Sequence, residues 1–211
     1  MAFIQTVSPD QASGDVRTMY ERYQGTQGYV PNWAKIFSHR PAVMAGWGTL
    51  LASVRGNLDP RRYELITLAA ARALRSSYCM LAHGAVLERD FYSADQLTAI
   101  ARNLPTAELA QAEVAMMAFA EKVARDATAI TEADVAALRA HGLTDAEIFD
   151  VAATAAARCF FSKLLDALGA EPDSVYERFP DDLKRELAPG RRISREAVEP
   201  LPAARPASSR G

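Results

Sequence analysis

The stretch from Asp59 to His83, DPRRYELITLAAARALRSSYCMLAH, constrains the fold more than any other in the chain. Asp59-Pro60 has the form of a helix start. An acceptor side chain stands at the N-cap, and proline follows at the first helical position, where its missing N–H costs nothing. The run that follows, LITLAAARAL, is too apolar for a surface helix, and its small alanines let neighbouring helices approach closely. Such a helix has to be wrapped by others. Ser76 and Ser77 interrupt it, and either can cap a second helix. The expectation is two adjoining helices, Pro60 to about Leu74 and about Ser77 to Phe91.

The same stretch gathers the scarce reactive residues. Cys79 is one of two cysteines and His83 one of three histidines. Their four-residue spacing puts both on one helix face, where they can exchange a proton. In the first turn of a helix, Cys79 feels the positive end of the dipole and unpaired backbone N–H groups, which favour a thiolate. Glu64 lies about one turn into the preceding helix, and taken alone it is an acid complementing that helix's dipole.

A glutamate followed twelve positions on by C-x-x-C-x-x-x-H is the core pattern of the alkyl hydroperoxidase D-like, or carboxymuconolactone decarboxylase-like, superfamily. Here it reads Glu64, Ser76-Ser77-Tyr78-Cys79, His83. The resemblance runs from GYVPNWAKIFSHRP to DALGAEPD, about residues 28 to 173, and is closest to the peroxidase-related branch. It implies an all-α helical bundle assembled as a homo-oligomer. It also implies roles: Cys79 as the attacking thiol, His83 as its proton partner and Glu64 as the distal member of a proton relay. Ser76 occupies the place of the resolving cysteine. A hydroxyl cannot form a disulfide, so a two-cysteine cycle within this motif is ruled out. Tyr78 is a candidate donor to a bound oxygen.

Every other periodic segment is also helical, with no alternating β-branched run that demands a strand. Ser8–Tyr23 is amphipathic, with Ser8-Pro9 as its start, and a loop follows through Pro31. Asn32–Arg55 is helical and divided by Pro41. Trp33 and Trp47 on its faces are expected in the core or a subunit interface rather than in a substrate pocket, and His39 at a helix end or on the surface. Further helices are expected from Ser93, over Ala107–Arg125, from Thr131 to His141-Gly142, and from the capping box at Thr144 to about Leu168. An offset of 85 aligns Leu58–Gly84 with Leu143–Gly169, which would make the second stretch a faded repeat of the hairpin. Cys159, beside Phe160 and Phe161, is expected to be structural, with a resolving role as the alternative. Residues 1–188 are read as one helical domain and 189–211, rich in proline and arginine, as a disordered tail.

With 211 residues, 49% hydrophobic and 24% charged, the chain is of ordinary globular composition. Its formal net charge of −2 gives no general attraction to nucleic acid or an anionic membrane. The amino terminus does not resemble a secretory signal, and no apolar run is long enough to span a bilayer. Two distant cysteines fit a reducing compartment, so the cytoplasm is expected. No cofactor fingerprint is present, and no cofactor is expected.

Three functions compete. In the first, Cys79 reduces a hydroperoxide as a thiol-dependent antioxidant peroxidase, and an external thiol reduces the resulting sulfenic acid. In the second, His83 or Glu64 moves a proton on a small carbonyl or lactone substrate, as in carboxymuconolactone decarboxylase. The third is a non-catalytic oligomeric scaffold. A zinc site of Cys79, His83 and Glu64 ranks below all three, because nothing in the family pattern supports it.

Overall fold

The computed structural model describes residues 2–102 and 109–202. Among these every regular element is helical. In chain order they are α1 (Gly14–Gln27), α2 (Asn32–Ile36), α3 (Pro41–Arg55), α4 (Pro60–Ala73), α5 (Ser77–Asp90), α6 (Ala94–Ala101), α7 (Gln111–Asp126), α8 (Glu132–Ala140), α9 (Asp145–Ala167) and α10 (Asp181–Leu187). No helix among the described residues is long and apolar enough to cross a membrane.

Helix α4 is the axis. The Asp59 carboxylate accepts the Arg62 N–H at 3.1 Å, as an N-cap should, and every residue from Tyr63 to Ala71 is buried. It packs against α5, α7 and α9, so it has no solvent face in this span. The alanines permit this closeness, and each buried Leu or Ile contributes on the order of 1.5–3 kcal/mol. At its polar edges Arg61 pairs with Glu113 and Arg72 with Glu121, clamping α4 to α7. Glu113 also accepts the Ala110 N–H at 2.9 Å and so fixes the start of α7.

The break between α4 and α5 is a Schellman turn. The Ser76 N–H bonds to the Ala71 carbonyl and the Arg75 N–H to that of Arg72, with Arg75 in the left-handed region at φ 56°. At the equivalent offset of 85, Cys159–Phe161 continue α9 without interruption. The stretch 143–169 is therefore one helix rather than a second hairpin.

Local capping signals place most helix starts. Ser93 with Gln96, and Thr144 with Glu147, form reciprocal capping boxes. The first helix begins later than its amphipathic pattern indicates: Pro9–Gln11 is a separate 3-10 turn, and α1 runs from Gly14. Helix α7 begins at Gln111, and residues 107–108 of its expected span lie outside the described residues.

Residues 189–202 are not the disordered segment their composition indicates. Gly190 donates its N–H to Ser77 Oγ at 2.8 Å, and Ser194 donates to the Pro172 carbonyl. The Val30 N–H bonds to the Glu199 carbonyl, and Ile193 is buried. A Cβ on Gly190 would lie 2.4 Å from the Arg75 carbonyl oxygen, so only glycine lets the chain cross the α4–α5 turn here. The rest of the expected tail, 203–211, lies outside the described residues.

Candidate active site

Cys79 occupies the third position of α5, within the first turn, and is 2% exposed. Its Sγ faces α9, where Ser162 Oγ donates to it at 3.1 Å and Arg158 Nη1 stands at 3.8 Å. A guanidinium and a hydroxyl aimed at sulfur stabilise negative charge there. The sulfur makes no hydrogen bond to His83 among the described residues.

His83, one turn further along α5, donates or shares its Nδ1 proton with Glu64 Oε2 at 2.5 Å. Glu64 comes from the buried face of α4, and its other oxygen lies 3.8 Å from Arg55 Nη2. Burial pulls the Glu64 carboxyl upward, but His83, Arg55 and Arg158 outweigh it and hold the group below its ordinary value. Burial, reinforced by Arg158, also lowers the His83 pKa, and Glu64 only partly offsets this. The pair therefore rests as carboxylate and neutral imidazole, which leaves Nε2 as a free base.

Cys79, His83 and Arg158 line a cleft of about 470 Å³, with Glu64 and Ser162 behind them. Its apolar walls are Tyr23, Trp33, Met44, Trp47 and Phe161, with Arg22 and Arg55 also on the lining. Trp47 stacks on Phe161 with centroids 5.3 Å apart, and Trp33 meets the same ring edge-on at 5.8 Å. The two tryptophans are packed side chains, as expected, but they also wall the site, which was not.

Tyr78, expected as a donor to a bound oxygen, lines the cleft but has its hydroxyl engaged elsewhere. It is 1% exposed, its hydroxyl hydrogen-bonds the Asp173 carboxylate, and its oxygen accepts the Trp33 N–H at 3.1 Å. Asp173 also accepts from the Asn32 N–H at 2.8 Å and from the Tyr29 hydroxyl. Burial raises the Asp173 pKa against these donors. The cluster is structural: it ties α2, and with it the Trp33 wall, to the start of α5.

Ser76 is fully buried at the N-cap of α5 but makes no side-chain cap bond. Its hydroxyl lies against Asp166 of α9, whose carboxyl burial raises and Ser76 partly restrains. Cys159 is half-buried on α9 with its thiol pushed up by desolvation, and both cysteines are free. His39 bonds to the Gln5 carbonyl at an exposed helix end, and His141 is the C-cap of α8.

Arg158 and Ser162 were missed in the sequence, although a signal for them exists. Asp150, Thr154, Arg158 and Ser162 recur every four residues in an otherwise apolar helix, and all four are buried. A polar stripe on a buried helix face marks a site or a satisfied network.

The all-helical frame that brings this cysteine, histidine and glutamate together is shared by solved structures. An uncharacterized peroxidase-related protein from Ralstonia eutropha JMP134, described as an alkylhydroperoxidase AhpD core, superposes with a TM-score of 0.72 at 26% identity. It covers 89% of this chain and 96% of its own. An uncharacterized peroxidase-related protein from Silicibacter sp. TM1040 gives 0.71 at 22% identity, covering 82% and 92%. A cysteine-to-alanine variant of the debrominase Bmp8, in complex with 2,3,4-tribromopyrrole, gives 0.71 at 15% identity, covering 87% and 100%. Residues 41–122 match the carboxymuconolactone decarboxylase family model. Over that stretch the chain is similar to this family, and its fold is that of the alkylhydroperoxidase AhpD core. No curated protein matches the sequence.

Proposed function

We propose that the protein is a thiol-dependent peroxidase that works with one cysteine. Cys79 attacks the terminal oxygen of a hydroperoxide, the O–O bond breaks, and an alkoxide leaves. His83 Nε2 takes the thiol proton and returns it to the alkoxide, giving an alcohol and Cys79 sulfenic acid. Glu64 balances the imidazolium that forms in between. Arg158 and Ser162 hold the negative charge on sulfur before attack. Two equivalents of an external thiol then reduce the sulfenic acid, releasing water and a disulfide of that thiol. The observation that carries this reading is the convergence on one cleft of a Cys79 sulfur with two donors and a Glu64-backed imidazole. The peroxidase-related descriptions of two structural neighbours support it.

Turnover of hydroperoxide with a dithiol tests the reading. Wild type should consume peroxide, Cys79→Ser should not, and Ser162→Ala should be slower by about tenfold for a lost donor to charged sulfur. Undiminished turnover by Cys79→Ser would overturn it.

One observation favours a second reading. Cys79 is 2% exposed, whereas the His83 side chain keeps 16% of its surface open, so a ligand in the cleft meets the imidazole more readily than the sulfur. A proton-transfer enzyme acting on a small carbonyl or lactone would use His83 as base and leave Cys79 unoxidised. It would survive Cys79→Ser and fail in His83→Gln.

The protein is further proposed to be a homo-oligomer. Val43, Leu50 and Phe160 are exposed along a groove between α3 and α9, and an apolar strip of this kind is suited to a second copy. A monomeric mass by light scattering at micromolar concentration would contradict this.

A further inference from the structure

Arg158 carries more positive charge into the cleft than its surroundings use. It is 4% exposed, and its guanidinium lies 5.9 Å from the Trp47 ring centre and 5.5 Å from that of Phe161. Nη1 turns to the Cys79 sulfur. Nε is buried without a hydrogen-bond partner among the described residues, and none is found for Nη2. Nε–H and Nη2–H form the parallel fork that matches a carboxylate. A buried guanidinium left with an unused fork is costly unless something visits it.

The charge balance fixes the sign of the visitor's charge. The lining holds three guanidiniums, Arg22, Arg55 and Arg158, and no carboxylate, while Glu64 behind His83 offsets one of them. The lining keeps an excess of positive charge, and moving a proton from Cys79 to His83 leaves that excess unchanged, so the visitor is an anion. The walls fix the shape: Trp33, Trp47 and Phe161 present flat faces and edges in contact with one another, suited to a planar apolar body.

We infer that the cleft binds a planar aromatic carboxylate, its carboxylate group taken by the free fork of Arg158 and its ring laid against Trp33, Trp47 and Phe161. The inference rests on the proposed reading that this cleft receives the substrate. It assigns Arg158 to substrate selection as well as to the sulfur. The substrate of the peroxidase is then an aromatic hydroperoxide that also bears a carboxylate.

Binding can be measured without any turnover, because the chain's two tryptophans are Trp33 and Trp47, both in the cleft. The reduced full-length protein is titrated with biphenylacetate, its neutral amide, and decanoate, following tryptophan emission and heat. The acid should bind at least about tenfold more tightly than either the amide or decanoate. Arg158→Met should lose about tenfold for the acid and nothing for the amide, and Arg158→Lys, charged but without the fork, should fall between. Equal binding of acid and amide overturns the charge assignment. Equal binding of decanoate overturns the aromatic one, and an unaffected Arg158→Met overturns the role of Arg158. If Arg158→Met does not fold, the wild-type acid-to-amide ratio decides alone. No peroxide enters these titrations, so a failure here is separable from a failure to form sulfenic acid.

Discussion

Glu64 holds His83 through Nδ1 at 2.5 Å, across the interface between the two central helices. Both groups have pKa values depressed in the folded state: His83 below 6.5, mainly through burial and Arg158, and Glu64 below 4.5 because its cationic and imidazole partners outweigh burial. As pH falls, the unfolded chain takes up these protons first. The stability contributed by the pair is therefore full above pH 6.5 and declines on acidification, through His83 first and Glu64 below pH 4.5.

The same geometry predicts a pH profile. Neutral His83 is the working base, so the rate of Cys79 oxidation should fall on an acid limb lying below pH 6.5. Glu64→Gln removes a charge that raises the imidazole pKa, so the limb should move to lower pH while the plateau drops by about tenfold or more. Stopped-flow rates across pH 4–8 measure both. A limb that moves to higher pH in Glu64→Gln contradicts the pairing.

Asp173 anchors the Trp33 wall by accepting from the Asn32 N–H and from the Tyr78 and Tyr29 hydroxyls. Asp173→Ala strands these buried donors and should cost about 2–4 kcal/mol in urea unfolding. It should also weaken ligand binding in the cleft, because the Trp33 N–H relies on Tyr78. An unchanged midpoint would show that the cluster is not structural.

Ser76 stands three residues before Cys79 and lacks a capping bond, so Ser76→Cys sacrifices no N-cap. The buried Ser76 hydroxyl has no hydrogen-bond partner among the described residues, so the replacement breaks no side-chain bond. Peroxide should convert this variant from a one-cysteine into a two-cysteine protein, with a disulfide between the new thiol and Cys79 seen by peptide mapping. A variant that forms sulfenic acid but never this disulfide would show that the turn at Arg75 holds the two positions apart.

What was legible in the sequence was local. Asp59-Pro60, Ser93 with Gln96 and Thr144 with Glu147 set helix starts through bonds spanning three residues, so their chemistry can be read in a short window. His83 was singled out by its spacing from Cys79 and Glu64 through the family pattern, and both signals lie within the nearest hairpin. Arg158 and Ser162 reach Cys79 from 79 and 83 residues away, and no short window contains both partners. The segment 189–202 has no apolar period because it is held by hydrogen bonds of its backbone to Ser77, Pro172 and Val30 and by the buried Ile193. Composition alone reads such a segment as unstructured. Tyr78 had its partner hidden for a related reason. Its motif position points to the site, but a buried carboxylate 95 residues on takes its hydroxyl.

The most direct test of the account is to trap the oxidised sulfur. Reduced wild-type protein is treated with one equivalent of hydroperoxide in the presence of a dimedone-type reagent, and the adduct is mapped by mass spectrometry. The account predicts an adduct on Cys79, none on Cys159, and suppression of the Cys79 adduct in His83→Gln. An adduct on Cys159 alone, or no adduct while peroxide persists unconsumed, contradicts it.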